Sequence, residues 1–326
     1  MLLLSRRAGL RHLAALCAFA SGFASAAEAF PTKPVVIVVP FSAGSGVDYV
    51  ARLLAERLSQ KWATAVTVDN RLGAGGNLGS DFVAKAKPDG HTILFTGPPL
   101  YINEFLYKNL PYSPMVDFKP VVKVSESPFV LLVAKSAPVN DLKDLIALAK
   151  SKPGVLTYSS GGNGSTPHLA GSLFNSMAAT DIVHVPYKST SQSLTDVLGG
   201  QVFMTFGPVV AGAQVVKGGL AKAIAVSGSK RAASLPDVPT LAEAGLAGFQ
   251  MATWNGALVP AATPDAVVNT IATAILDIVH DPAVVKAIAA NGLDMDVMPP
   301  KVMTEYVAAE QKKWQKLVAS TGVKMD

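Results

Sequence analysis

Residues 35–58 read VVIVVPFSAGSGVDYVARLLAERL: a β-branched run, a loop of small residues, then an amphipathic segment. Valine and isoleucine suit a buried strand. Beyond the loop, Val47, Val50, Ala51, Leu54, Leu58 and Trp62 recur at the i, i+3, i+4 spacing of one helix face. Ser45-x-x-Asp48 has the form of a capping box at the start of that helix. A strand entering a helix through so short a loop is the building unit of an α/β fold. The order recurs at residues 155–174, VLTYSSGGNGSTPHLAGSLF, where Thr166 is expected to cap a helix with Pro167 at its first position.

Strand-like and helical runs alternate along the rest of the chain. AVTVDN, HTILFTG, FVLLVAKS, IVHVPY, FMTF and AKAIAVSG read as strands, and DFVAKAKPDG and NDLKDLIALAKSKPG as helices ended by glycine. Three helices are expected at the C-terminus. The first is opened by Thr263-Pro264 and buries Ile271, Ile275 and Val279. These elements predict a two-lobed α/β protein, with a mainly parallel sheet in each lobe.

The first 29 residues read differently. Arg6, Arg7 and Arg11 precede an apolar run from Leu13 to Phe23 and then small residues, the order of a secretory signal, with Ala-Ser-Ala at 24–26 or Ala29 as the cleavage point. The paired arginines also fit a twin-arginine signal loosely. Cys17, the single cysteine of the chain, lies in this leader, so a processed protein would carry neither a disulfide nor a thiol nucleophile. Leu16 before it argues against a lipidated cysteine and hence against a membrane anchor. Removing the three arginines lowers the formal net charge from +5 to +2. No Lys/Arg block marks a nucleic-acid partner.

The glycine loops admit two readings. Each is an ordinary helix cap, or the pair is an anion cradle, since a helix N-terminus offers unpaired N–H groups and partial positive charge. Other chemistries find little support. GGNGST lacks the lysine of a phosphate-binding loop, and no G-x-S-x-G elbow occurs. GAGGNLG at 73–79 is followed by no acidic residue at the end of HTILFTG to hold a ribose. His91, His168, His184 and His280 lack metal-ligand spacing, so no metal or cofactor is expected. The enzymatic alternative is an exported hydrolase or lyase using Ser165, His168 and Asp48.

From residue 30 onward the chain resembles the extracytoplasmic solute receptors of tripartite tricarboxylate transporters, the Bug-type proteins. The resemblance rests on PTKPVVIVVPFSAGSGVD, VDNRLGAGGNLGSDFVAKAKPDGHTILF, LPYSPMVDFKPV, PGVLTYSSGGNGSTPHLAGSLF, VHVPYKST, LTDVLGGQV and SLPDVPTLAEAG, in fixed order. It implies a periplasmic, non-enzymatic receptor whose two lobes close at a hinge on a small organic carboxylate for the membrane components of a transporter; a sensor-only receptor would share the fold. Lobe 1 would comprise 30–127 and 249–326, and lobe 2 would comprise 128–248. Carried over by position, the ligand pincer would be Phe41, Ser45, Gly46, Val47 and Asp48 against Ser160, Asn163, Gly164, Ser165, Thr166 and His168. Gly97, Pro98, Phe206, Gly207 and Trp254 would line the remaining wall. Many members carry acidic residues where this chain has Phe203 and Gly207, which implies a ligand without an amine. Pro98, Pro99 and Leu100 hint at an apolar body.

Overall fold

The alternation of apolar runs and amphipathic segments folds, in the computed structural model, into ten strands and eleven α-helices among the described residues, 30–187 and 190–321. The leader expected over 1–29 lies outside the described residues. In chain order the elements begin with β1 (Val35–Val39), α1 (Gly46–Trp62), β2 (Val66–Asn70), α2 (Asn77–Ala84), β3 (Thr92–Thr96), α3 (Pro99–Leu106) and α4 (Pro114–Asp117). There follow β4 (Phe118–Ala134), α5 (Leu142–Ser151), β5 (Thr157–Ser160), α6 (Thr166–Ala178), β6 (Val183–Pro186), α7 (Thr190–Leu198), β7 (Met204–Pro208), α8 (Val209–Lys217) and β8 (Ala221–Val226). The chain ends in β9 (Ala252–Pro260), α9 (Asp265–Val279), α10 (Pro282–Ala290), β10 (Asp294–Met298) and α11 (Pro300–Thr321).

The strand order is β2-β1-β3-β9-β4-β7-β5-β6, with β8 and β10 also on β4. Strand β4 belongs to both lobes. Its first part, Phe118 to Pro128, pairs with β9 and β10, while Phe129 to Ala134 pairs with β7 and β8. Each lobe has its parallel ladders, β2-β1-β3 in one and β6-β5-β7 in the other, as strand–helix–strand units require. All ladders made by β4 and β9 are antiparallel, so each lobe's sheet is mixed rather than mainly parallel. The reason is topological: β4 and β9 run between the lobes without a crossover helix.

Two apolar cores flank lobe 1's sheet. One packs β1, β3 and β9 against α1 and α9, through Val39, Leu54, Phe95, Ile271 and Ile275. The other is larger and continues into lobe 2, joining Tyr101, Trp254 and Trp314 to Tyr158, Phe174 and Phe206. Helix α11 accounts for that continuity. Its buried stripe Met303, Val307, Trp314 and Leu317 lies along α3 and β4 and reaches α6. The C-terminal region thus holds β10 between its helices, where three helices alone were expected.

One charge cluster is built into this frame. Lys123 of β4 is 1% exposed; its Nζ donates to Glu126 Oε2 at 3.2 Å and to Asp296 of β10, and sits 4.4 Å from the centre of the Tyr306 ring. Burial pushes the Glu126 carboxyl up, an effect that Lys123 opposes and Asp296 reinforces.

Candidate ligand-binding cleft

The first loop is shaped by one carboxylate. Ser45 caps α1, its Oγ accepting from Asp48 N at 3.4 Å. Asp48, fully buried, turns back to accept from the N–H of Gly44 at 2.8 Å, from Arg52 Nε at 2.9 Å and from Asn70 Nδ2 at 2.8 Å. Gly44 adopts φ +81°, a left-handed conformation that glycine takes without strain. Asn70 also donates to the Phe41 carbonyl, tying both ends of the loop to β2. Burial opposes ionisation of Asp48, but the bonds from Arg52, Gly44 and Asn70 and the Arg52 charge outweigh it and hold the carboxyl below its ordinary range. A depressed acid contributes stability above its unfolded pKa and loses it as pH falls through the folded one. Asp48→Asn should therefore cost roughly 1.5–3 kcal/mol at pH 7. Urea melts should show the deficit shrinking below about pH 4.

This arrangement leaves donors free. Ser45 N bonds Ser42 O, Asp48 N bonds Ser45 Oγ and Tyr49 N bonds Ser45 O, whereas the N–H groups of Gly46 and Val47 have no acceptor among the described residues. They are the orphan donors of a helix N-terminus. Phe41, Ser45, Gly46 and Val47 line a cleft of about 730 Å³. Gly97, Pro98 and Pro99 at the end of β3 continue the wall, with Ser127, Thr253, Trp254 and Asn255 from the strands that cross between lobes. Thr190, Pro208, Val210, Ala211 and Gln214 also line it, as do Asn291 to Leu293. No acidic or basic side chain lines it among the described residues.

The second loop has the same outline, but its cap makes no side-chain bond to the helix. Ser165, rather than the expected Thr166, caps α6, and Pro167 falls at the second helical position; both hydroxyl residues suit a cap, and the extended ψ of 154° at Ser165 decides between them. Ser165 Oγ donates to Gly162 O at 2.7 Å, and Gly164 N donates to His168 Nδ1 at 3.0 Å. The loop does not line the cleft. Gly164 lies against Leu106, the last residue of α3. Asn163 is exposed, Thr166 is buried, and Ser160 is enclosed with Oγ 2.7 Å from His184 Nε2.

The structure thus brings Phe41, Ser45, Gly46, Val47, Gly97, Pro98 and Trp254 around one cleft, with Asp48 bracing the first loop. Ser160, Asn163, Gly164, Ser165, Thr166 and His168 form a separate cluster in lobe 2. Phe206 is buried between the rings of Phe174 and Phe249, and Gly207 pairs with Val130 inside the sheet. Sequence reading missed Thr190, although it ends the motif VHVPYKST, and also Ser127, Thr253, Asn255, Val210, Gln214 and Asn291 to Leu293, which no quoted motif contains. The groups of the hydrolase alternative, Ser165, His168 and Asp48, are bonded to other partners and not to one another. Among the described residues no group of three or more His, Cys, Asp or Glu is placed to hold a metal ion, and no helix is long and apolar enough to cross a membrane.

Comparison with known proteins accounts for this architecture. A protein from Pseudomonas sp. strain P51, described as the UPF0065 protein in the tcbD-tcbE intergenic region, is 37% identical over 97% of this chain and 94% of its own length. BugT of Bordetella pertussis (strain Tohama I) is 32% identical over 92% of each chain. Among solved structures, R. palustris Rpa4515 with adipate superposes with a TM-score of 0.76 at 33% identity, covering 90% of this chain and 99% of that one. MatC from Rhodopseudomonas palustris, with bound malate, gives 0.72 at 32% identity, covering 89% and 100%. The model of the tripartite tricarboxylate transporter family receptor matches residues 50–323. With a family model that matches most of the chain and likeness in sequence and fold running nearly end to end, this chain belongs to the tripartite tricarboxylate transporter receptor family of solute-binding proteins.

Proposed function

We propose that this chain is an exported receptor that closes its lobes on a small organic carboxylate with an apolar body and no amine, and delivers it to the membrane components of a tripartite transporter. The observation that carries this reading is the pair of N–H groups, on Gly46 and Val47, that have no acceptor among the described residues and belong to residues lining a cleft whose described lining holds no charged side chain. Backbone donors at the positive end of α1 suit a carboxylate. An ammonium group would find no carboxylate there, because Asp48 is consumed by Gly44, Arg52 and Asn70. Phe41, Pro98, Pro208, Val210 and Leu293 favour an apolar body. Adipate and malate in the two R. palustris relatives are both carboxylates, which supports the class.

In this reading the first loop grips the carboxylate directly. The second loop, Ser160 and Asn163 to Thr166 with His168, is the jaw that approaches on closure, with Trp254, Gly97 and Pro98 as the floor. Lobe 1 is 30–127 with 249–326, lobe 2 is 128–248, and residues 1–29 direct export to the periplasm. Hydrogen bonds to a charged group contribute about 1.5–3 kcal/mol each, so three or four reach roughly −8 kcal/mol, micromolar affinity. Closure follows because ligand binds the closed form better than the open one.

Thermal unfolding of the purified protein with a panel of acids, their primary amides, amino acids, sugars and phosphate tests the reading. A ligand at 100 times its Kd stabilises by about 2.7 kcal/mol. Apolar monocarboxylates or dicarboxylates should raise the midpoint and their amides should not. A response led by aspartate or glutamate would refute the amine-free ligand, and a response confined to sugars or phosphate would refute the carboxylate.

A further inference from the structure

The two loops share a local device whose chemistry differs between them. In each, the third residue of the helix reaches back to accept the N–H of the glycine before the cap: Asp48 from Gly44 at 2.8 Å, His168 from Gly164 at 3.0 Å. The first loop uses a carboxylate neutralised by Arg52. The second uses an imidazole that accepts only while its Nδ1 is unprotonated.

That imidazole is not alone. His184 of β6 stacks on His168 with ring centres 3.9 Å apart and planes 13° apart. The Ser160 hydroxyl donates to Gly162 O at 3.0 Å and accepts from Gly162 N at 3.1 Å, which leaves His184 Nε2 to donate to Ser160 Oγ across 2.7 Å. The two rings therefore fasten the loop at both ends, Gly164 through His168 and Gly162 through Ser160 and His184.

We propose that His168, with His184 stacked on it, is a positioning residue that holds the second loop in its closing form only while its Nδ1 carries no proton, so that acid releases the second loop while the first stays braced. A proton on His168 Nδ1 would face the Gly164 N–H donor directly. A second proton, on His184, would set two cations in van der Waals contact. Among the described residues neither ring is bonded to an acidic side chain. Tyr158 of β5 lies against both rings, with its hydroxyl donated to the His168 carbonyl. On neighbouring elements, Asp196 of α7 accepts from Tyr187, Glu104 of α3 from Gln311, and Glu310 of α11 from Lys313. Lys188 lies outside the described residues. Burial lowers both histidines to about 4, and the closeness of His168 adds to the shift at His184.

The inference rests on the second loop being part of the carboxylate site, but its test needs no ligand, so a failed carboxylate screen leaves it standing or falling by itself. The experiment is an NMR titration of the 15N-labelled protein, following both imidazoles and the amides of Gly164 and Gly44, in wild type and in His168→Asn. The asparagine keeps an acceptor oxygen and removes the titrating nitrogen. In wild type, both rings should stay neutral through pH 6 and the Gly164 amide should shift with a midpoint near pH 4, together with the His168 ring. In His168→Asn that transition should vanish while Gly44 is unchanged. A native group whose pKa is depressed below its unfolded value makes stability rise with pH between the two, so the wild-type melting midpoint should also fall more steeply from pH 6.5 to 4 than that of His168→Asn. Either ring titrating near pH 6.5, or a Gly164 amide that ignores the His168 ring, would overturn the proposal.

Discussion

Replacing Gly292 by alanine should weaken carboxylate binding at least tenfold, about 1.4 kcal/mol, over and above a separate cost to the unliganded fold. Gly292 follows α10 in lobe 1 and meets Val210 of α8 in lobe 2 across the end of the cleft. A Cβ at 292 would lie 1.4 Å from Val210 Cγ2 and 2.9 Å from its Cβ. Turning the valine about χ1 relieves the first overlap and leaves the second. The lobes must then part at this edge, and a form in which they part is one in which the first loop and its facing wall no longer enclose a ligand together. The φ of +71° at this residue adds roughly 1–2 kcal/mol of backbone strain for alanine. That cost belongs to the fold, so the unliganded melt measures it separately. Adding Val210→Ala removes Cγ2 and should restore part of the lost affinity. Isothermal titration of wild type, the single variant and the double decides the matter: equal affinities, or no recovery in the double, would uncouple this contact from closure.

The second large effect is on stability. Lys123→Met should cost about 3–5 kcal/mol at pH 7, because it strands Glu126 as an uncompensated charge in the interior. Glu126 is 3% exposed, and its carboxyl is already pushed up by burial. Without Lys123 the folded protein binds a proton there that the unfolded chain gives up, so the variant's stability falls as pH rises. The deficit should be smaller at pH 4 than at pH 7, and Lys123→Met/Glu126→Gln should recover much of it in urea unfolding at pH 7. A deficit independent of pH, or a double variant no better than the single, would place the loss in packing on Tyr306 instead.

Which parts of this architecture could be read from the sequence follows from how local their causes are. Helix α1 was legible because Val50, Ala51, Leu54 and Leu58 are buried on one face at the expected spacing. Both loops were legible because capping is a matter of four or five neighbouring residues. Their exact caps were not. Ser165 and Thr166 compete within one residue of each other, and α9 begins at Asp265 with Pro264 as its cap, one position beyond the Thr263 expected there. The first half of β4 was missed because FKPVVKVSESP carries two prolines, two lysines and a glutamate, the composition of a loop. Burial of Lys123 with Glu126 and Asp296 turns it into an interior strand, and those partners are far apart in sequence. Strand β10 escaped for the same reason, since Asp294 and Asp296 read as solvent-facing. The far wall of the cleft, from Pro208 to Gln214 and at Asn291 to Leu293, depends on how the lobes sit together, and no local pattern encodes that.

The central claim is that backbone donors of the first loop receive the ligand, and Gly46→Pro tests it most directly. Position 46 is the first residue of α1, where proline is tolerated and costs only an N–H that the helix does not use. A side chain there meets Leu293 at an ordinary 3.7 Å. Isothermal titration should find carboxylate affinity reduced by about 1.5–3 kcal/mol, roughly ten- to a hundredfold, with the unliganded melting midpoint unchanged. Wild-type affinity in Gly46→Pro would mean that the carboxylate is held elsewhere.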